Sequence, residues 1–154
     1  MNAYRARPNL LPWPPILIVG LTLAAILLNM IVPLGIGFSG IRPLGIALIL
    51  LALGIDLWAM KTLSDAHTTI LPNRGSSHLV TQGPFGYSRN PIYVANVMLM
   101  LGMGLFSMNA WFLVLAPVDA VLTYILAIRR EENHLTALFG YQYESYCRKV
   151  RRWI

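Results

Sequence analysis

Charge is what this chain has least of. Only 12% of its 154 residues are Asp, Glu, Lys or Arg, against about 25% in an ordinary soluble domain. With 56% apolar residues and a mean hydropathy of +0.60, the shortage excludes a soluble globular domain of this size. Cysteine is nearly absent as well. The single Cys147 forms no internal disulfide, so a plain reduced thiol is expected there. The three histidines, His67, His78 and His134, show no helical ligand spacing, and no carboxylate is grouped with two of them, so no metal site is read. No basic stripe is interleaved with a soluble fold, which argues against nucleic acid as a partner. No Cys-aliphatic-aliphatic-X ending is present, so the chain is not expected to be prenylated itself. Internal repeats and low-complexity tracts are also missing.

What is there is apolar sequence in long runs. Ile16 to Ile41 carries no charge, Pro43 to Met60 carries Asp56 alone, and Asn90 to Ile128 carries Asp119 alone. A helix needs roughly 20 residues to cross about 30 Å of hydrocarbon, so the 39 residues from Asn90 to Ile128 are too long for one span. Ser107-Met108-Asn109 makes a natural turn near the middle. Four transmembrane helices are therefore predicted, near 15–37, 43–62, 91–106 and 110–129, the third short enough to tilt or to start among headgroups. The fold class is an all-α polytopic membrane protein with a C-terminal cytoplasmic amphipathic helical segment. The chain reads as one domain over 1–154, with two spans in 1–62 and a loop, hairpin and tail in 63–154. Span one resembles a signal peptide in its Arg5, Arg7 and apolar run, yet its length and lack of a small-residue cleavage site predict an uncleaved helix.

Eleven of the twelve basic residues fall on one side of these spans, and Arg42 stands alone on the other. The positive-inside rule puts both termini and the middle loop in the cytoplasm, and a bacterial inner membrane is the expected location. Membrane lipids are then the immediate partners, and the positive charge adds attraction to anionic headgroups. Oligomeric state is left open. The Gly102-Met103-Gly104 segment suits close helix packing within one chain or between copies.

Two polar segments flank the helical hairpin on this cytoplasmic side. The first is a Gly/Pro-punctuated string from Gly83 to Tyr93, at the end of a 28-residue loop beginning at Thr62. A loop that long in a compact chain is usually functional or disordered, and its His67, Arg74, His78 and aromatic residues favour function. The second is Ile128-Arg-Arg-Glu-Glu-Asn-His-Leu, after which Leu135, Leu138 and Phe139 share a helical face. Gly140 is expected to break that helix, and Tyr143, Tyr146 and Val150 resume the spacing. An interfacial helix anchored by Arg151, Arg152 and Trp153 accounts for most of the tail. It leaves the Glu131-Glu132 pair unexplained, since carboxylates there repel anionic headgroups.

Leu79-Val-Thr-Gln-Gly-Pro-Phe and Tyr87-Ser-Arg-Asn-Pro-Ile-Tyr together resemble a signature of the isoprenylcysteine carboxyl methyltransferase-like membrane proteins, which are related to phospholipid N-methyltransferases. Glu131-Glu132 with Leu135, Phe139-Gly140, Tyr143, Tyr146 and Val150-Arg-Arg-Trp resembles the C-terminal motif of the same family. The likeness covers 79–154, and Ala66-His67-Thr68-Thr69 more weakly. It implies S-adenosylmethionine bound at the cytoplasmic face, S-adenosylhomocysteine as product, and a lipophilic substrate arriving from the bilayer.

The residue chemistry agrees with that implication. Glu131 or Glu132 can take the cofactor's ammonium through charge-assisted hydrogen bonds. Arg89 can hold its carboxylate, or instead pair with a glutamate. Tyr87 and Tyr93 offer ring faces to a cation or to adenine. Gly83-Pro84 and Asn90-Pro91 fix turns that a ligand can approach closely. The expected cofactor-binding set is Gly83, Pro84, Tyr87, Arg89, Asn90, Pro91, Tyr93, Glu131, Glu132, Tyr143 and Tyr146, with Arg89, Asn90 and Glu132 nearest the chemistry.

Relatives often carry His at the position of Asn90, Gly at Ala95 and Arg at Gly86. Asn keeps a donor and an acceptor but does not titrate near neutral pH, so it is no general base. Direct in-line methyl transfer is the expected reaction. Its acceptor is expected to be an isoprenoid or isoprenyl-thioether carboxylate, with a phospholipid amine, or a non-catalytic lipid-binding or assembly role, as alternatives. An amine would have to lose a proton, with His67 or Glu132 as candidate bases. Asp56, near the end of its span and within reach of Lys61, and Asp119, near Pro117 and Thr123, read as structural although intramembrane carboxylates mark functional sites by default.

Overall fold

The computed structural model describes residues 11–66 and 78–154; His67, Arg74 and the weak match around Ala66-His67 fall wholly or partly outside them. Helix α1 covers Trp13–Ile31, with Pro14 and Pro15 in its first turn, where a missing N–H loses nothing. It stops short of the expected residue 37 because Val32, which precedes Pro33, turns extended, as a residue before proline prefers to do. After a single turn at Ser39–Ile41, α2 runs from Arg42 to Asp65. A short turn at Gly83–Gly86 leads into α3, Pro91–Ser107. α4 spans Trp111–Thr123, widens by one loosely wound turn at Tyr124–Ile128, and continues as α5, Arg129–Phe139. Gly140, at φ +50°, then separates α5 from α6, Tyr141–Lys149.

Three helical stretches, Trp13–Ile31, Ser39–Asp65 and Trp111–Phe139, are long and apolar enough to cross a membrane, and the 17-residue α3 makes a shorter fourth. The protein is an all-helical integral membrane protein. Large side chains along α1 and α2, among them Leu23, Leu27, Met30, Leu50 and Leu57, face outward; lipid tails suit such a surface and water does not.

The helices pack in the order α2, α3, α4, α1. Lipid supplies little hydrophobic drive between helices, so close backbone approach has to do it. α2 buries Gly45, Ala52 and Ala59, three small residues seven apart, against α3. A β-carbon on Gly45 would lie 2.5 Å from the Phe106 nitrogen and 2.8 Å from the Gly102 oxygen, and one on Gly102 would lie 2.9 Å from the Gly45 oxygen. The two backbones touch there. The Gly102 region thus serves packing inside the chain.

The end of the bundle away from the site is tied by its turns. Met108 takes a left-handed conformation at φ +59° and closes α3. Met108 and Leu34 carbonyls accept the N–H groups of Ile36 and Ala110 at 3.1 and 2.8 Å. Buried Asn109 donates to the Ala25 carbonyl at 3.0 Å and accepts from Trp111 N–H at 3.0 Å. These bonds satisfy main-chain groups that a bilayer leaves without water.

Asp119 is buried in α4 and takes a hydrogen bond from Thr123, one turn on. Asp56 Oδ1 is buried with no hydrogen-bond partner, from Lys61 or any other described residue.

Leucine at Gly45 or Gly102 must push α2 from α3. We expect either substitution to destabilise the fold by about 1–3 kcal/mol, read as a lower melting temperature in detergent. Gly54→Leu, where nothing lies within 4 Å of the added carbon, serves as the control and is expected to leave it unchanged.

Candidate active site at one end of the bundle

The start of α1, the start of α3 and the end of α4 meet at one end. Tyr93, Ala127 and Ile128 form its buried apolar centre, with Trp13, Ile92, Tyr124 and Trp153 packed around them. Pro91 begins α3 and leaves Arg89 and Asn90 on the loop just before it. The loosely wound turn at Tyr124–Ile128 precedes Glu131 and Glu132 in the first turn of α5.

The two glutamates make different contacts. Glu131 Oε2 accepts the Tyr93 hydroxyl at 2.8 Å. Glu132 meets two guanidinium groups. Arg152 binds it bidentately, Nε to Oε1 at 2.9 Å and Nη2 to Oε2 at 3.0 Å, and Arg89 Nη1 lies 3.4 Å from Oε1. Parallel N–H···O bonds of this kind fix direction as well as energy. The Arg152 guanidinium also sits 5.0 Å above the Tyr124 ring, within cation–π range.

Residues after α6 run back across the loop as a strap. The Arg151 carbonyl accepts Arg89 N–H at 3.0 Å. The Arg152 carbonyl accepts Asn90 Nδ2 at 2.9 Å and the Ser88 hydroxyl at 3.4 Å. From α6, the Tyr146 hydroxyl donates to the Phe85 carbonyl at 2.6 Å, and Arg89 Nη1 approaches Cys147 Sγ at 2.6 Å. Tyr143 and Tyr146 are buried with tilted rings, centroids 6.2 Å apart. Burial pushes the Tyr146 phenol up to about 12, opposed by Arg89, and raises Tyr143 as well, with Glu132 adding to it.

Arg89, Asn90, Pro91, Tyr93, Glu131, Glu132, Tyr143 and Tyr146 thus come together. Arg89 takes the second of its two expected roles and pairs with Glu132. Gly83, Pro84 and Tyr87 lie towards α2 instead. Tyr87 is largely exposed and tilts against Trp58 at 6.3 Å. Gly83, at φ +60°, sits so close to α2 that a β-carbon would come within 2.8 Å of Thr62 Oγ1. Beside it a cleft of about 540 Å³ is lined by Thr62, Asp65, Ala66 and His78 to Gly83. Sequence reasoning missed Arg152, Ser88, Cys147 and Tyr124. From sequence, Arg152 reads as one more interfacial cation and Cys147 as a plain reduced thiol. The available signal was spacing: Cys147 lies four residues after Tyr143, on the same face of α6.

Residues 41–142 match the family described as Phospholipid methyltransferase, well over half of the chain. The chain belongs to that family of membrane methyltransferases. The match takes in Arg89, Asn90, Tyr93, Glu131 and Glu132 and stops before Tyr143, so the strap lies beyond it. Among curated proteins the chain is 29% identical over 80 residues to the nickel-cobalt-cadmium resistance protein NccN of Alcaligenes xylosoxydans xylosoxydans. The same figures hold for the cobalt-zinc-cadmium resistance protein CzcN of Cupriavidus metallidurans. Each alignment covers 52% of this chain and 37% of the relative, so the phospholipid methyltransferase-family chain aligns with little more than a third of those proteins. No solved structure matches. Among the described residues no three His, Cys, Asp or Glu side chains gather as a metal site.

An ordinary phenol gives up its proton near pH 10, and in the folded protein Tyr146 holds its proton up to about 12. The unfolded chain therefore releases protons first as pH rises, and stability falls between pH 10 and 12. Chemical denaturation across that range should show the decline, and Tyr146→Phe should make it shallower, with Tyr143, also raised by burial, left to carry the rest.

Proposed function

We propose that this protein transfers a methyl group from S-adenosylmethionine to a lipophilic acceptor at the cytoplasmic face of a bacterial inner membrane. The observation that carries the reading is a polar ring of Arg89, Asn90, Tyr93, Glu131 and Glu132 in a chain of the phospholipid methyltransferase family, a family that generally uses this cofactor. The cofactor's demands match what the ring offers: a carboxylate for an ammonium, and aromatic surface for adenine at Tyr93, Tyr143 and Tyr146. S-adenosylmethionine brings its methyl on a sulfonium, a good leaving group, so no covalent enzyme intermediate is needed. What the side chains contribute is alignment and exclusion of water. Tyr93 and the aromatic cluster around it keep the carboxylate end dry. Arg89 holds the loop against α6.

The proposed acceptor is a lipid carboxylate, such as an isoprenoid or isoprenyl-thioether acid. A carboxylate is already ionised at neutral pH and asks for no general base. The polar ring agrees: Asn90 does not titrate, and Glu132 is held by two arginines. A phospholipid headgroup amine is the second reading, favoured by the family's description; Glu131 would then accept the proton.

Calorimetry on the detergent-purified protein tests the cofactor assignment. Saturable binding of S-adenosylmethionine and S-adenosylhomocysteine is expected, lost in the Glu131→Ala/Glu132→Ala double variant. Unchanged binding in that variant would overturn it. Labelled methyl appearing in acidic isoprenoids supports the carboxylate acceptor, and label in phospholipid headgroups replaces it with the amine.

A further inference from the structure

Glu131 and Glu132 are adjacent in sequence, yet their surroundings are opposite. Glu132 Oε1 faces Arg152 Nε at 2.9 Å and Arg89 Nη1 at 3.4 Å, and its Oε2 faces Arg152 Nη2 at 3.0 Å. Both of its oxygens are engaged by guanidinium donors. Glu131 gives one oxygen to the Tyr93 hydroxyl, and the ion pairs to Arg89 and Arg152 go to Glu132 instead. A ligand's cation that approached Glu132 would have to compete with two fixed positive charges; one that approached Glu131 meets a phenol.

Arg152 is tied at both ends. Its guanidinium is held by Glu132 and lies over Tyr124, while its carbonyl accepts from Asn90 and Ser88. The preceding Arg151 carbonyl takes the N–H of Arg89. Beyond α6 the strap has no helix to hold it, because Val150 is already extended. Its position over Ser88, Arg89 and Asn90 thus depends on side-chain contacts, Trp153 packed against the Tyr93–Ile128 centre and Arg152 held by Glu132.

We propose that the two glutamates divide the work: Glu132 is a clasp that holds the C-terminal strap through Arg152 and positions the Ser88–Asn90 loop, while Glu131 is the carboxylate that receives the ligand's ammonium. Glu132 and Arg152 are positioning residues and do not touch the ligand. This inference rests on the cofactor reading above, and it changes that reading in one respect, by moving Glu132 away from the chemistry.

A double-mutant cycle separates the roles. S-adenosylhomocysteine affinity is measured for Glu131→Gln, Glu132→Gln, Arg152→Gln and the Glu132→Gln/Arg152→Gln pair. If Glu132 acts only through Arg152, each of its two single variants loses roughly tenfold and the pair loses no more than either, because the second change removes nothing further. Glu131→Gln is expected to lose about 10- to 100-fold, the scale of one hydrogen bond to a charged group. Losses that add in the pair, or a Glu131→Gln variant that binds like wild type, would overturn the proposal. Trypsin cleavage after Arg151 and Arg152, followed by mass spectrometry, reads the clasp without any ligand. Glu132→Gln should be cut at least several-fold faster than both wild type and Glu131→Gln; equal rates would overturn the clasp. If wild type itself binds no S-adenosylhomocysteine, the cofactor reading fails, and the trypsin rates still decide the clasp.

Discussion

The contact between Glu132 and Arg152 joins two parts of the chain 20 residues apart, and most of the polar end is arranged around it. Remove it in thought and the strap is left with its main-chain carbonyls and the packing of Trp153. Asn90 and Ser88 then lose their acceptor's anchor, and Arg89 keeps one carboxylate without the neighbour that orients it. An exposed ion pair is worth little because water competes for both partners. This one is better placed. Glu132 is largely shielded, the guanidinium is seated over Tyr124, and the two N–H···O bonds are parallel. Removing Glu132 would leave the shielded Arg89 guanidinium without its carboxylate, which costs more than the loss of an exposed partner does.

The rest of the bundle makes that end rigid. Helices in lipid are drawn together by close packing, and the contact of Gly45 with Gly102 brings α2 and α3 to touching distance. At the opposite end, Asn109 and the paired turns around Leu34 and Met108 lock α1 to the α3–α4 hairpin. Arg89 and Asn90 therefore ride on the start of a fixed helix, and Glu131 and Glu132 on the continuation of another. Sites built on such elements hold their geometry better than sites on free loops. Only the strap is left to be positioned by side chains, and Glu132, the two arginines and Trp153 do that.

The spans were legible because hydropathy and the lack of charge are long-range, redundant signals. α1 ends earlier than its apolar run because Pro33 acts on Val32, a local effect that hydropathy ignores. Met108 and Gly140 both take positive φ close to where turn residues suggested a break. The site was legible as a set of neighbours, since Glu131, Glu132, Arg89 and Tyr93 flank one hairpin. Their pairing was not. Choosing between Arg89 as a ligand group and Arg89 as a partner of Glu132 needs distances, and the role of Arg152 needs the tail's path back across the loop. A cluster of Arg151, Arg152 and Trp153 reads as an interfacial anchor from composition alone, and nothing in its spacing distinguishes the arginine that turns inward. Tyr87 lies six residues from Tyr93, but the turn at Gly83 carries it to α2 and Trp58.

Asn90 brings the polar end and the proposed chemistry together. Its amide nitrogen donates to the Arg152 carbonyl, and its main-chain N–H donates to the Ser88 hydroxyl at 3.1 Å. A side chain committed in this way serves the strap. An imidazole here could also donate one hydrogen bond, but it would gain and lose charge near neutral pH. An amide keeps the donor constant across that range. It also gives up proton transfer at this position, which matters only if the acceptor carries a proton to be removed. A non-titrating residue at this position therefore fits the proposed acceptor, one that is ionised before it arrives, and that is the physical reason for proposing a carboxylate before an amine.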